Sequence, residues 1–377
     1  FSFILTFGIK FAGFKEQGWH EDFLSLKNTK AIQGFMALLI VIHHLSQTDL
    51  LRNNPYLIWC NDIGVLLVGI FLFCSGYGVI KSLNTKEDYL KGFLKTRLTS
   101  VLIPFYTMNS IFLVIAIVTK SIASPLDFIG NVTGIFLLND HSWYIFAIVL
   151  FYLVFYLLFK FVGNEGIAFT GMGIFFIFYI TLSLLAGHGL TQPHGPLWFQ
   201  GEWWYNTSLL FFVGMVVAKF EKPIISFVKK TYYFLLPLIF ISFILFYFKN
   251  LYMLRTYSYW AEFSGVPGIR EKWLCLTWQI PTIILFVFTV ILITMKFQFR
   301  NVVLDFFGSI CIELYLIHNL FILLFSSPSF NITNNILYVL LVYAGSIPLA
   351  TLLHFINQKL INLVVKKKKS PSTPNPN

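Results

Sequence analysis

The sequence is short of charge. Asp, Glu, Lys and Arg make up 11% of its 377 residues, against about 25% in an ordinary soluble domain. That excludes a soluble enzyme and a disordered chain. Cysteine is sparse as well. Cys60, Cys74, Cys275 and Cys311 are scattered, with no paired spacing, which excludes a disulfide framework and gives no sign of a metal site. The chain has no P-loop, no H-E-x-x-H and no G-x-S-x-G elbow, so the Walker-type, zincin and hydrolase signatures are missing.

Apolar residues are plentiful, at 57% of the chain, and 44 of them are Phe. They fall in long unbroken runs. A membrane barrel would show short alternating strands, so the pattern predicts an all-α, polytopic transmembrane helical bundle. Ten spans are expected, over 31–47, 58–80, 99–119, 143–162, 166–187, 205–220, 232–248, 277–295, 306–326 and 335–358. Residues 1–30 read as an N-terminal cytoplasmic or interfacial segment and 31–365 as the transmembrane domain. Residues 366–377 read as a basic, then disordered tail. Phe1–Phe14, interrupted by Lys10, resembles a surface-lying amphipathic helix rather than a cleavable signal.

The basic residues set the orientation. With the N-terminus in the cytoplasm, 21 of the 27 Lys and Arg fall on the inner side and 6 on the outer. This asymmetry is the positive-inside pattern and makes both termini cytoplasmic. It also accounts for the net charge of +11 without nucleic acid. The run Lys366–Lys369 is suited to anionic lipid. On the outer side, His188–Trp204 contains no Lys or Arg and carries Trp198, Trp203 and Trp204. These fit either an interfacial belt or sugar stacking.

Polar residues inside spans are costly in lipid and therefore informative. The first span carries Lys30 and Gln33 at its inner end and His43 and His44 at its outer end. Gln33 and His44 are separated by about three turns, roughly 16 Å, on nearly one face. A neutral imidazole there can accept a hydroxyl proton near neutral pH, although a helix-end histidine bonded to a neighbour has the same sequence appearance. His43, about 100° round the helix, reads as structural.

The run Gln33-Gly34-Phe35-Met36-Ala37-Leu38-Leu39-Ile40-Val41-Ile42-His43-His44 resembles the opening helix of the membrane-bound acyltransferase 3 family. Its pattern there is R-G-x-x-A-L-L-x-V-x-x-H. Phe71–Tyr77 is similar to the family's F-F-x-x-S-G-F/Y motif. Arg97 with Pro104-Phe105-Tyr106, His141-Ser142-Trp143-Tyr144 and Glu313–His318 resemble three later motifs. The resemblance implies transfer of an acetyl or other acyl group from cytoplasmic acetyl-CoA to a hydroxyl of a carbohydrate or cell-surface glycan. It makes His44 the base, with His318 and Glu313 as catalytic support. Lys30, Gln33 and Arg97 become candidates for the donor, and no metal is required. Gln33 stands where the family has Arg, so donor binding must find its charge at Lys30 or Arg97.

Asp62, His141, Trp143 and Trp203 lie near outer span ends and are candidates for the acceptor. Asp62 suits either orientation of His44 or a helix cap. His318 fits catalytic support or a satisfied core histidine. Glu313, about 140° from His318 on the helix, needs an Arg, Lys or His on another span. The implied setting is a bacterial plasma membrane. The competing expectations are a proton-coupled transporter or glycan exporter, which would use the same buried groups as a relay, and an inactive family member.

Overall fold

The structure is a computed structural model of the full chain. It describes residues 1–14, 18–186, 196–261, 268–330 and 332–365. The basic run and tail from 366, and the outer-loop stretch 187–195, lie outside the described residues.

The chain is a helical bundle. In chain order its helices are α1 Ser2–Thr6, α2 Leu26–Ser46, α3 Gly64–Thr85, α4 Phe93–Val118, α5 Pro125–Thr133, α6 Trp143–Phe161 and α7 Glu165–Leu185. They continue with α8 Trp203–Asn206, α9 Leu209–Lys219, α10 Glu221–Tyr257, α11 Ile269–Lys296, α12 Val302–Ser309, α13 Cys311–Ser326 and α14 Asn335–Val364. Among the described residues, eight helices are long and apolar enough to cross a membrane. A ninth span arises if α12 and α13, bent by 75°, count together.

The expected span 205–220 is the short one. The α9 helix has 11 residues, about 16 Å of rise, roughly half the hydrocarbon thickness. A turn through Thr207 and Ser208 joins it to α8. The segment runs parallel to α3, from Leu210 beside Gly69 to Glu221, which Tyr77 and Lys81 bind. Among the described residues it is not one of the helices long enough to span a membrane, so eight or nine spans are found where ten were expected.

Two glycine contacts set the packing around the interior. A Cβ on Gly34 would lie 2.4 Å from the Gly308 backbone nitrogen, and one on Gly308 would lie 2.3 Å from the Lys30 carbonyl. Only glycines let α2 and α12 touch backbone to backbone there. The same holds at Gly76 and Gly214, where α3 meets α9. The first contact sets Lys30 and Gln33 beside the α12–α13 bend.

The outer surface is apolar. Along α10 only Tyr232, Asn250 and Met253 are buried, while Phe234, Ile241, Leu245 and Phe248 are exposed. Apolar exposure on this scale marks a lipid-facing helix. The second expected span starts late because Ile58–Asp62 forms a 3₁₀ turn before α3. Within Phe1–Phe14 the chain is helical over Ser2–Thr6. Lys10–Phe11 instead pair antiparallel with Phe297–Gln298, in the register Lys10↔Gln298.

Candidate active site

Three histidines from three spans meet near the outer end of the bundle. His44 on α2 stacks on His141, with ring centroids 3.6 Å apart and planes 27° from parallel. His318 on α13 lies 5.1 Å from His44 and 5.5 Å from His141, ring to ring. His141 precedes α6, in the turn Asp140–Ser142. Asn139 clamps that turn to α13. Its amide nitrogen donates to the Leu316 carbonyl at 2.8 Å, and its oxygen accepts from Asn319 at 3.0 Å. The Tyr315 hydroxyl adds a bond to the His141 carbonyl.

A hydrogen-bond chain selects the tautomer of His44. The His43 Nδ1–H faces the Cys60 carbonyl at 2.8 Å, so His43 Nε2 is left as an acceptor. The Gln47 amide nitrogen lies 3.4 Å from that Nε2 and 3.3 Å from the Asn61 carbonyl. Gln47 therefore turns its oxygen outward, 3.4 Å from His44 Nδ1. His44 Nδ1 then carries the proton, and Nε2 keeps its lone pair. His43 is a positioning group, as its place on the helix suggested. His318 is tied alike, with Nδ1 3.2 Å from the Leu314 carbonyl. Its Nε2 is buried with no partner.

The His44, His141 and His318 ligand atoms lie within 4.8 Å of one another, close enough to be considered for a metal ion. The rings also stack nearly parallel, with interplanar angles of 13–27°.

Two cavities flank the histidines. The outer one, about 430 Å³, is lined by His44, Asp62, His141, Trp143 and Trp203, together with Asp140 and Glu202. The inner one, about 250 Å³, is lined by Lys30, Gln33, Ser75, Glu313 and His354. Ile40, Val68 and Tyr315 line both. The Gln33–His44 face of α2 thus runs from one cavity to the other.

The remaining candidates separate. Glu313 finds its partners on α14, where His354 Nδ1 stands 3.3 Å and Asn357 Nδ2 3.1 Å from Oε1. Arg97 is not among the residues lining the inner cavity. Its Nε and Nη2 donate to the Tyr89 hydroxyl at 3.1 and 2.8 Å, and it lies over the Tyr152 ring. Asp62 makes no bond to His44, whose Nδ1 partner is Gln47. Burial raises the Asp62 carboxyl, and Arg255 opposes that rise. Burial pushes Glu202, before α8, up to about 7.

A family profile described as an acyltransferase domain matches residues 28–355. The chain belongs to the acyltransferase 3 family. The profile reaches into every candidate span and includes the whole lining of the outer cavity, so this is a multi-pass membrane acyltransferase by family. No curated protein and no solved structure matches it.

Sequence reasoning missed Gln47, Asn139 and His354. Gln47 stands three residues after His44, a spacing that places the two on one helix face, and so was open to being found. Asn139 and His354 act through contacts across the bundle that no local spacing reveals.

Proposed function

We propose that this acyltransferase moves an acetyl group from cytoplasmic acetyl-CoA to a hydroxyl of a carbohydrate, with His44 as general base. The observation that supports it most is the pair of cavities sharing a wall beside His44. An inner donor and an outer acceptor can reach one point there without either crossing the bundle.

Lys30 and Gln33 hold the donor at the inner mouth. Lys30 supplies the cation for phosphate, and the Gln33 amide adds a neutral hydrogen bond. His44 Nε2 takes the acceptor hydroxyl proton as its oxygen bonds the acyl carbon. The C–S bond then breaks, and the proton returns from His44 to the leaving thiolate. Gln47 accepts from Nδ1–H throughout and keeps the ring aligned. His141 and His318, stacked against His44, share the transient positive charge. Lipid surrounds the bundle, and a bacterial plasma membrane gives both substrates access from their own sides.

The test is thiol release from acetyl-CoA by purified protein, wild type beside His44→Ala, with a panel of glycans. Acceptor-dependent release that is lost in the variant is expected. Donor binding is measured in the same samples, and its absence would overturn the reading in favour of a transporter.

A further inference from the structure

The lining of the outer cavity is acidic. Asp62, Asp140 and Glu202 contribute to it, with no Lys or Arg among the described lining residues. Arg255 acts on Asp62 from outside the lining. The undescribed loop 187–195 contains no Lys or Arg in its sequence.

One short turn at this wall has an unusual concentration of unpaired polar atoms. Among the described residues, Glu202 Oε2, Trp203 Nε1, Trp204 Nε1, Asn206 Oδ1 and Thr207 Oγ1 are all buried without a hydrogen-bond partner. Asn206 and Thr207 are 2% and 1% exposed. Buried polar atoms are normally paired, and leaving them unpaired is costly. Five fall on six consecutive residues, and the four on Glu202, Trp203, Asn206 and Thr207 belong to residues lining one cavity, the pattern of a site that pairs with something brought to it. The set mixes acceptors, a donor and a hydroxyl that serves as either. A ligand hydroxyl can answer each of them, since it both donates and accepts. A ligand carboxylate or phosphate only accepts, and it would face three carboxyl groups.

We propose that the turn Glu202–Thr207 reads the acceptor, and that the acceptor is an uncharged sugar ring rather than a uronic acid or other anionic sugar. Trp143 and Trp203, which line the same cavity, offer apolar faces to the ring's C–H surface. The inference names the acceptor class of the acyl transfer proposed above, but sugar binding itself does not require turnover.

The test uses the full-length protein in detergent with no acyl donor present. Tryptophan fluorescence follows binding of methyl glucoside against methyl glucuronide, and of the galacto pair. These partners differ at the C6 carboxylate. The uncharged glycoside of at least one pair is expected to bind about tenfold or more tightly than its uronate, because the described lining offers the carboxylate no cation. Asn206→Leu and Thr207→Val should each weaken that binding about fivefold or more. They should leave thermal stability unchanged or raised, since each removes an unpaired atom. Equal or tighter uronate binding, no binding by any glycoside, or variants that bind like wild type would overturn the proposal. Acetyl-CoA binding in the same samples separates the two readings. If it persists while glycosides fail, the acceptor assignment falls alone. If it is absent, acyl transfer falls whether or not sugar binds.

Discussion

His44 Nδ1 faces Gln47 Oε1 at 3.4 Å, and Gln47 owes its orientation to His43 and to the Asn61 carbonyl. A neutral amide therefore does what a carboxylate does in many catalytic pairs: it fixes which ring nitrogen is basic. It does so without adding a charge in a low-dielectric site. Gln47→Leu should remove the tautomer lock while leaving the imidazole in place. The expected result is a kcat lower by about 10- to 100-fold, short of the loss in His44→Ala. The KM for acetyl-CoA should hardly move. A rise in KM with kcat intact would show that Gln47 belongs to binding instead.

The shared wall makes a second prediction. Val68 lines both cavities, so a large side chain there separates the substrates while His44 itself is unchanged. Val68→Trp should reduce acetyl transfer by about 100-fold, because acyl carbon and hydroxyl no longer approach. Donor binding, read by isothermal titration, should remain within about twofold. If transfer proceeds at the wild-type rate, the substrates do not meet at this wall.

Gln33 lines the inner cavity where the family pattern has an arginine, and Arg97 does not replace it. Restoring the charge is then the informative substitution. Gln33→Arg should lower the KM for acetyl-CoA about tenfold, through charge-assisted bonding to phosphate. The gain should shrink as ionic strength rises. An unchanged KM at low salt would mean that Lys30 already supplies all the charge the donor uses.

How much of this was legible beforehand depends on the range of each interaction. The spans and their direction came from long apolar runs and the placement of Lys and Arg, which local composition reports directly. Lys30, Gln33 and His44 were legible as one face because helical spacing is local. The stack of His44, His141 and His318 was not, since no pair among them has helical spacing and only tertiary packing unites them. Glu313 was correctly read as needing a cross-helix partner, but His354 is 41 residues on. Arg97 became a donor candidate through the family resemblance, as a cation that could stand in for the arginine missing at Gln33. Its actual partner, Tyr89, sits on a 3₁₀ turn eight residues earlier, and such turns have little sequence signature. The shortness of α9, 11 residues where a span was expected, was hidden by uniform hydrophobicity.

The α2–α12 contact offers a packing test with its own control. A methyl on Gly308 meets backbone, which cannot rotate away, whereas one on Gly78 meets nothing within 4 Å. Gly308→Ala should destabilise by about 1–3 kcal/mol. Gly78→Ala, within α3, should stabilise by about 0.5–1 kcal/mol. Thermal unfolding in one detergent compares them. Equal shifts in both variants would argue against a backbone contact at Gly308.

The last prediction concerns pH. Burial raises the Glu202 carboxyl from 4.5 to about 7, and a bond with Trp260 only partly offsets this. Its folded-state value therefore lies above its unfolded one. Below pH 4.5 both states hold the proton, and the contribution to stability is complete. Between 4.5 and 7 the unfolded chain releases the proton while the folded one keeps it, so stability falls as pH rises. Above about 7 the loss is complete. Its size is of order 1–3 kcal/mol. Glu202→Gln has no proton to release, so its melting temperature should exceed that of wild type at pH 7.5. The advantage should vanish near pH 4.5. Asp62, also raised by burial, loses stability in the same direction in both proteins and cancels from the comparison. A variant that melts below wild type at pH 7.5, or a difference independent of pH, would show that Glu202 is ionised and satisfied in the folded protein. The acidic wall of the outer cavity would then carry a fixed charge at Glu202.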